Sequence, residues 1–168
     1  MSTTEQLLRE FDFEFPVTRK FLALVPNDKL TWKPHAKSME LGRLAWHVAD
    51  FPSWITDIVK KDELILKSED FPAMMQLWKD KTREAILSRF DADLKVAREN
   101  LASVGEDVWA QNWKMGMDGQ QWIDEPRIDV YRKWVISHQA HHRAQLGVYF
   151  RLNDIPIPGI YGPSADEG

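Results

Sequence analysis

Apolar residues recur at intervals of three and four along four segments of the chain, which is the spacing of one face of an α-helix. The first segment covers about residues 3 to 25 and predicts a helix that Pro16 should kink or interrupt. Pro26 and the polar residues after it close this segment. Its apolar positions are Leu7, Leu8, Phe11, Phe15, Phe21, Leu22 and Val25.

Three further segments follow the same pattern. A second helix is predicted after Ser38, a residue type favoured at helix N-caps, and Pro52 should kink it. A third helix is predicted to begin near Pro72, which suits a first-turn position, and to continue toward Leu101. The fourth covers about residues 127 to 152. The stripe of the second helix consists of Leu41, Leu44, His47, Phe51, Trp54, Ile55 and Ile58.

The segment from about residue 105 to 127 has no clear period. Trp109, Trp113 and Trp122 are separated there by two glycines and an aspartate, which indicates a long loop or a short hairpin. Elsewhere no series of strands is predicted, and no internal repeat or linker divides the chain. The pattern therefore predicts an all-α, antiparallel four-helix bundle that forms a single domain over residues 1–168, with this Trp-rich segment before the last helix.

The composition excludes several functions. The net charge is -4, and lysines and arginines are scattered, so no basic surface for nucleic acid is expected. No apolar run approaches the roughly 20 residues that cross a bilayer, and the first residues lack a signal-peptide pattern, so a cytoplasmic protein without membrane contact is expected. The chain has no cysteine, which excludes disulfides, thiolate metal ligands and cysteine nucleophiles. Any metal ligands must be nitrogen or oxygen.

Two histidines of the fourth helix have the spacing of metal ligands. His138 and His142 lie about 40° apart around a helix and one turn along it, so both imidazoles could reach one ion. His141 competes with His142, because a spacing of three also places it near His138, and periodicity does not choose between them. The charged side of this helix points roughly opposite His138, which predicts that His138 faces the core and Arg143 faces solvent. That side is marked by Arg132, Lys133, Arg143 and Arg151.

A third histidine lies on an apolar stripe. His47 follows Leu44 in the second helix, where an unpaired imidazole would cost free energy on burial. A lone histidine in such a place is usually a hydrogen-bonded core residue, but one ion would satisfy all three imidazoles. Three neutral imidazoles with an open position are the ligands of a catalytic zinc site, and nickel, cobalt or ferrous iron could use them too. His35 lies in a predicted loop and is interpreted as a surface residue.

Four stretches of the chain together resemble the DinB/YfiT-like superfamily of metalloenzymes. The resemblance extends over residues 30 to 162 in the expected order, while residues 60 to 125 carry no diagnostic motif. The stretches are Leu30–Met39, Leu44–Asp50, His138–Leu146 with its HxxxHR pattern, and Ile155–Gly162 with its PxPGxYG pattern.

The resemblance implies a four-helix bundle that forms a homodimer and holds one metal ion on His47, His138 and His142, with His141 as a neighbour. It implies a divalent metal, zinc or nickel, with cobalt, manganese and iron as alternatives. Members of the superfamily use low-molecular-weight thiols such as bacillithiol or mycothiol. The resemblance therefore favours a thiol-dependent S-transferase that acts on a small electrophile.

Two other functions remain open at this level. A metal-dependent hydrolase would need a base, for which Glu40 and Asp50 are candidates, although each is more often a solvated or helix-terminal charge. A non-catalytic metal-binding or stress-related scaffold would need a fourth protein ligand to close the site. Trp46 and Tyr149 could line a pocket or pack in the core, and no catalytic residue is assigned.

Overall fold

The computed structural model describes residues 1–79 and 81–167. Its helices are α1 (Thr3–Ala23), α2 (Leu41–Lys60), α3 (Phe71–Met74), α4 (Arg83–Ala102), α5 (Arg127–Val130) and α6 (His138–Arg151). A π-helical segment, Tyr131–Ser137, joins α5 to α6. The strands are β1 (Glu63–Leu66), β2 (Asn112–Met117) and β3 (Gln120–Pro126). Short 3-10 turns cover Asn27–Lys29, Ser68–Asp70 and Glu106–Val108.

The four long helical segments pack around one apolar core, with α2 against α4 and α6, and α1 against α4 and α6. The helix α1 begins with a capping box, in which the Ser2 hydroxyl accepts from the Glu5 amide and Glu5 accepts from the Ser2 amide. Pro16 and Pro52 lie inside α1 and α2 without ending either helix. The helical part of the predicted bundle is therefore confirmed. None of the described helices is long and apolar enough to cross a membrane.

Two predicted helix boundaries are wrong. Ser38 does not cap α2, which begins at Leu41 because the amides of Leu41 and Gly42 donate to loop carbonyls of Trp32 and Leu30, both at 2.8 Å. The third predicted helix is split: α3 ends at Met74, residues 75–79 form turns, and the next helix begins only after Thr82, whose hydroxyl accepts from the Ala85 amide. Position 80 lies outside the described residues.

The split has a physical reason in the same apolar residues that predicted a helix. Met75, Leu77 and Trp78 do not form a helix stripe but line a cavity beside α2. Burial of apolar side chains stabilises a turn as well as a helix, so local periodicity could not distinguish the two.

The fold is not purely all-α, because a three-stranded sheet lies beside the helices. The Trp-rich segment forms the predicted hairpin, β2 and β3, around a turn in which Asp118 and Gly119 adopt positive φ values of 50° and 82°. The strand β1 pairs in parallel with β2, with Glu63 opposite Lys114. This strand was missed because four residues are too few for a period of two to be recognised, and its partner lies far along the chain.

Candidate metal centre

Three imidazoles meet between α2 and α6. His47 projects from α2, and His138 and His142 project from the first two turns of α6. One nitrogen of each lies within 4.8 Å of the others. The Nε2 atoms of His138 and His142 are 2.9 Å apart, close to the separation of about 3.3 Å that two nitrogens have on one tetrahedral zinc. The structure thus brings together the three histidines selected from the sequence, and metal binding by them stays a prediction.

The helix α6 lies between α1 and α2, so two of its faces are buried. His138 and His142 face α2, where the ring of His142 lies 4.6 Å from that of His47. The rings of Phe51 and Trp54 pack around His47 at 5.1 Å and 6.1 Å and shield it from solvent. Aromatic contacts therefore hold the histidines in an apolar environment.

The imidazoles are neutral at physiological pH. Burial, with smaller contributions from the positive charges of His142, His138 and Arg43, lowers the pKa of His47 to about 3. Burial also lowers the pKa values of His138 and His142 below the usual range. Neutral imidazoles expose a nitrogen lone pair, which is the form that binds a metal ion.

A hydrogen-bonded chain orients His142. Its Nδ1 lies 2.7 Å from Gln145 Oε1, and Gln145 Nε2 lies 3.1 Å from His141 Nε2. Because an amide oxygen only accepts, His142 must carry its proton on Nδ1 and present a bare Nε2 toward His138. His141 is exposed and ends this chain, and the three imidazoles that meet are those of His47, His138 and His142. Sequence reasoning missed the role of Gln145, although its spacing of three from His142 is a helical contact distance.

The spacing of the donor nitrogens fits a shared cation. With a bare Nε2 on His142, the short contact to His138 Nε2 needs either a proton on His138 Nε2 or a positive ion between the two nitrogens. The first choice leaves His138 Nδ1 without a proton, and this buried atom has no hydrogen-bond partner. The second choice moves the His138 proton to Nδ1, so that both Nε2 atoms present a lone pair to the same ion.

A cavity of about 460 Å³ adjoins the histidines on the α2 side, and His47 forms part of its wall. Its volume lies within the range of small-molecule sites. Most of the lining surface is apolar, and two residue types supply half of the lining residues. These are Trp46, Trp54, Trp78 and Trp122 together with Met39, Met74, Met75 and Met115.

Neither carboxylate proposed as a base is free to serve as one. Asp50 lines the cavity, but it pairs with Arg89 and accepts from the Trp54 indole at 3.1 Å and the Ser53 hydroxyl at 3.2 Å. Glu40 lies just before the first residue of α2, outside the cavity wall. Three donors therefore occupy the Asp50 carboxylate.

The remaining candidates divide between cavity and core. Trp46 lines the cavity, with the Arg89 guanidinium 4.3 Å above its ring. Tyr149 is buried in the core, where its hydroxyl donates to the Met39 carbonyl at 3.1 Å. His35 is exposed as predicted, and its Nδ1 accepts from the Lys37 amide at 3.1 Å.

Comparison with known proteins identifies the family and the fold. The family model described as "DinB family" matches residues 1–168. The chain belongs to the DinB family. It is 26% identical over 167 residues to the uncharacterized protein YrdA of Bacillus subtilis (strain 168), an alignment that covers 98% of this chain and 92% of YrdA. The crystal structure of YjoA, a DinB-like protein of Bacillus subtilis, shares the fold at a TM-score of 0.67 and 16% identity, covering 95% of this chain and 99% of that one.

In this DinB protein, the arginine of the HxxxHR pattern contacts the tyrosine of the PxPGxYG pattern. Arg143 was predicted to face solvent, but its side chain is only 1% exposed, and this prediction is wrong. It pairs with Glu14 at 2.7 Å and donates to the Thr18 hydroxyl at 3.0 Å and to the Tyr161 hydroxyl at 2.8 Å. The arginine therefore ties α6 to α1 and to the C-terminal tail.

The prediction for Arg143 failed because the last helix is not uniformly α-helical. Arg132 and Lys133 are exposed, and an α-helical period would place Arg143 on the same side as Arg132. The π-helical segment between them has about one extra residue per turn, which rotates the following helix by about 100°. This rotation turns Arg143 toward α1 while His138 and His142 face α2.

The lowered pKa of His47 predicts that the metal-free DinB protein loses stability below about pH 6.5. Between the ordinary value of 6.5 and about 3, the unfolded chain binds a proton at His47 and the folded chain does not. The free energy of unfolding should therefore fall as the pH falls, by up to about 1.4 kcal/mol per pH unit for this residue. Urea denaturation in chelator between about pH 7 and pH 5 measures this slope.

The matched variants are His47→Leu and His35→Ala. The first variant removes a buried imidazole, so the slope of its free energy of unfolding against pH should correspond to about one bound proton fewer than in the wild type. The second variant removes an exposed imidazole and should leave this slope unchanged. An unchanged slope in His47→Leu would contradict the assignment of this titration to His47.

Proposed function

We propose that this protein is a metal-dependent enzyme in which His47, His138 and His142 hold one divalent ion, zinc or nickel, and which transfers a low-molecular-weight thiol to a small electrophile. The observation that carries the proposal is the convergence of three neutral imidazoles, with nitrogens within 4.8 Å, beside an apolar cavity of about 460 Å³. Three nitrogen ligands leave a coordination position open, which is typical of catalytic rather than structural zinc sites.

The chemistry of the donor set supports this proposal. Neutral imidazoles do not reduce the charge of the ion, so a bound ion would supply a Lewis acid that lowers the pKa of a thiol or a water at the open position. Gln145 fixes the ring of His142 in the tautomer with a bare Nε2, and Phe51 and Trp54 keep solvent away from His47. These residues orient the ligands and lower the polarity around them.

The surroundings of Asp50 favour a thiol over a water as the nucleophile. Hydrolysis benefits from a carboxylate base, and Asp50 already accepts from Arg89, Trp54 and Ser53. A thiol has an ordinary pKa of about 8.5 and needs far less help than water. In the proposed step, the thiol proton passes to solvent, sulfur forms a bond to an electrophilic carbon, and the leaving group departs with the electron pair of its broken bond.

The test is a screen of the metal-loaded protein with bacillithiol, mycothiol, glutathione, coenzyme A and cysteine against 1-chloro-2,4-dinitrobenzene. We expect at least one thiol to form its thioether about tenfold or more faster than without protein, because a lowered thiol pKa raises the thiolate fraction at neutral pH. Mass spectrometry identifies the thioether, and chloride release confirms the balance of the reaction.

Thioether formation by the protein should be lost in chelator and in the His138→Ala variant. It should persist in His141→Ala, which alters an exposed neighbour of the same residue type. If the metal-loaded protein accelerates thioether formation with none of the thiols, the transferase proposal is overturned. Hydrolysis of a panel of aryl esters by that same preparation would instead favour a metal-dependent hydrolase. The homodimer implied by the resemblance stays a prediction.

A further inference from the structure

Four residues of α2 share one face of the helix and reach the same cavity. Arg43, His47, Asp50 and Trp54 are separated by four, three and four positions, and all of them line the cavity beside the histidines. Arg43 lies one helical turn before His47, so both side chains leave α2 on the side of the cavity. Besides Asp50, the cavity therefore has a cationic residue one turn from the candidate metal centre.

The two arginines of the cavity differ in how their charge is compensated. Arg89 pairs with Asp50 and with Asp93, and its guanidinium lies over the ring of Trp46. Arg43 contacts the thioether sulfur of Met75 at 3.6 Å, which is a weak acceptor. Within the described part of the chain, no carboxylate lies within 4.0 Å of Arg43. Arg43 is thus the cavity arginine whose charge is not compensated by a described carboxylate.

The uncharged residues that line the cavity favour a ligand that is mostly apolar. Four tryptophans and four methionines line the cavity, and its apolar lining exceeds its polar lining several-fold. Methionine side chains are flexible and polarisable and adapt to flat rings, while tryptophan offers a face for stacking. An apolar molecule without charge would leave Arg43 without an acceptor in the cavity, and a purely ionic one would leave the tryptophans in contact with water.

We infer that the cavity binds a small molecule with an aromatic or branched apolar body and one carboxylate, and that Arg43 binds the carboxylate. The inference rests on the proposed function in one respect: this molecule would be the electrophilic substrate held beside the metal. Guanidinium and carboxylate form two parallel hydrogen bonds, so Arg43 would fix both the position and the orientation of the ligand. Arg43 is then the specificity-determining residue of the site.

The experiment compares two probes that differ only in charge, 4-phenylbutyrate and its neutral amide, 4-phenylbutyramide. Binding is followed by the change in tryptophan fluorescence, since four tryptophans line the cavity, and by calorimetry. The wild-type protein should bind the acid at least about tenfold more tightly than the amide, because a charge-assisted pair in a partly desolvated site is favourable by that order.

The variant Arg43→Gln should bind acid and amide equally, and its retained affinity for the amide shows that the cavity is intact. Arg43→Lys should keep part of the preference, because lysine retains the charge without the planar pair of donors. Arg98→Gln is the matched control, since it removes an arginine that pairs with Asp12 on the exposed surface, and its preference should equal that of the wild type.

Measurement in His138→Ala separates this inference from the proposed function. If Arg43 binds the carboxylate, the preference for the acid persists in His138→Ala. If the preference survives in Arg43→Gln but vanishes in His138→Ala, the metal binds the carboxylate and the inference is overturned. Failure of the wild-type protein to bind either probe overturns it as well. If the Arg43-dependent preference is present in a protein that binds no metal, the proposed function fails and the assignment of the cavity stands.

Discussion

Replacing His138 with alanine is expected to remove divalent metal from the protein, from about one ion per chain to a trace. A zinc site of this kind derives about 10 kcal/mol or more from all its ligands together, so the loss of one of three imidazoles should cost about 3 kcal/mol or more. This corresponds to a hundredfold or greater rise in Kd. Elemental analysis of the purified proteins, followed by titration with zinc and nickel, measures both quantities.

The control for this variant is His141→Ala. His141 lies in the same helix and has the same chemistry, but it is exposed, and it contacts the orienting chain at the far end of Gln145 and at the edge of the His142 ring, 4.9 Å away. It should keep stoichiometric metal with a small change in affinity. Equal metal content in wild type, His138→Ala and His47→Ala would show that the three imidazoles are not the ligands, whatever their distances.

Replacing Arg143 with methionine is expected to destabilise the protein by about 3 to 5 kcal/mol, because it leaves the Glu14 carboxylate buried without its partner. The side chains of Arg143 and Glu14 are only 1% and 12% exposed. The same substitution removes donors to the Thr18 and Tyr161 hydroxyls and to the Glu14 carbonyl. Urea denaturation of the wild type and the variant at neutral pH gives the difference in free energy of unfolding.

The pair Arg98 and Asp12 provides a matched comparison, since Asp12 lies in the same helix as Glu14. Its side chains are 53% and 47% exposed, so Arg98→Met should cost no more than about 1 kcal/mol. The double variant Glu14→Gln/Arg143→Met should recover part of the loss, because it leaves no uncompensated charge. A cost for Arg143→Met as small as that for Arg98→Met would contradict the structural role given to the buried pair.

The buried pair also connects the histidines to the rest of the fold. Arg143 follows His142 directly, and its contacts with Glu14 hold α6 against α1 while His142 faces α2. The hydroxyl of Tyr161 donates to Glu14 at 2.8 Å, so the C-terminal tail closes the same cluster. Two of the motifs on which the family resemblance rested thus meet in a structural contact, apart from any role in chemistry.

The site residues could be selected from the sequence to a large extent because helical spacing is a local property. His138 and His142 are one turn apart in the same helix, which indicated that both imidazoles could reach one ion. The resemblance to the DinB/YfiT-like superfamily selected His142 over His141 and added His47. Gln145 and Arg43 were not selected, since an amide or a guanidinium on a helix is usually solvated. Their roles depend on which groups face them in the folded chain.

By itself, the sequence determined that the first, second and last segments are helical, because the spacing that predicts a helix acts within a few residues. The absence of cysteine limited any metal ligands to nitrogen and oxygen, whereas a long loop and a short hairpin remained alternatives for residues 105 to 127. Only the tertiary structure decided the rest. The π-helical segment rotates the last helix so that Arg143 is buried. Met75 and Trp78 line the cavity and do not lie in the helix that their spacing predicted. The strand β1 pairs with β2, which lies far along the chain. Each of these outcomes depends on packing between parts of the chain that are distant in sequence, which no local pattern contains.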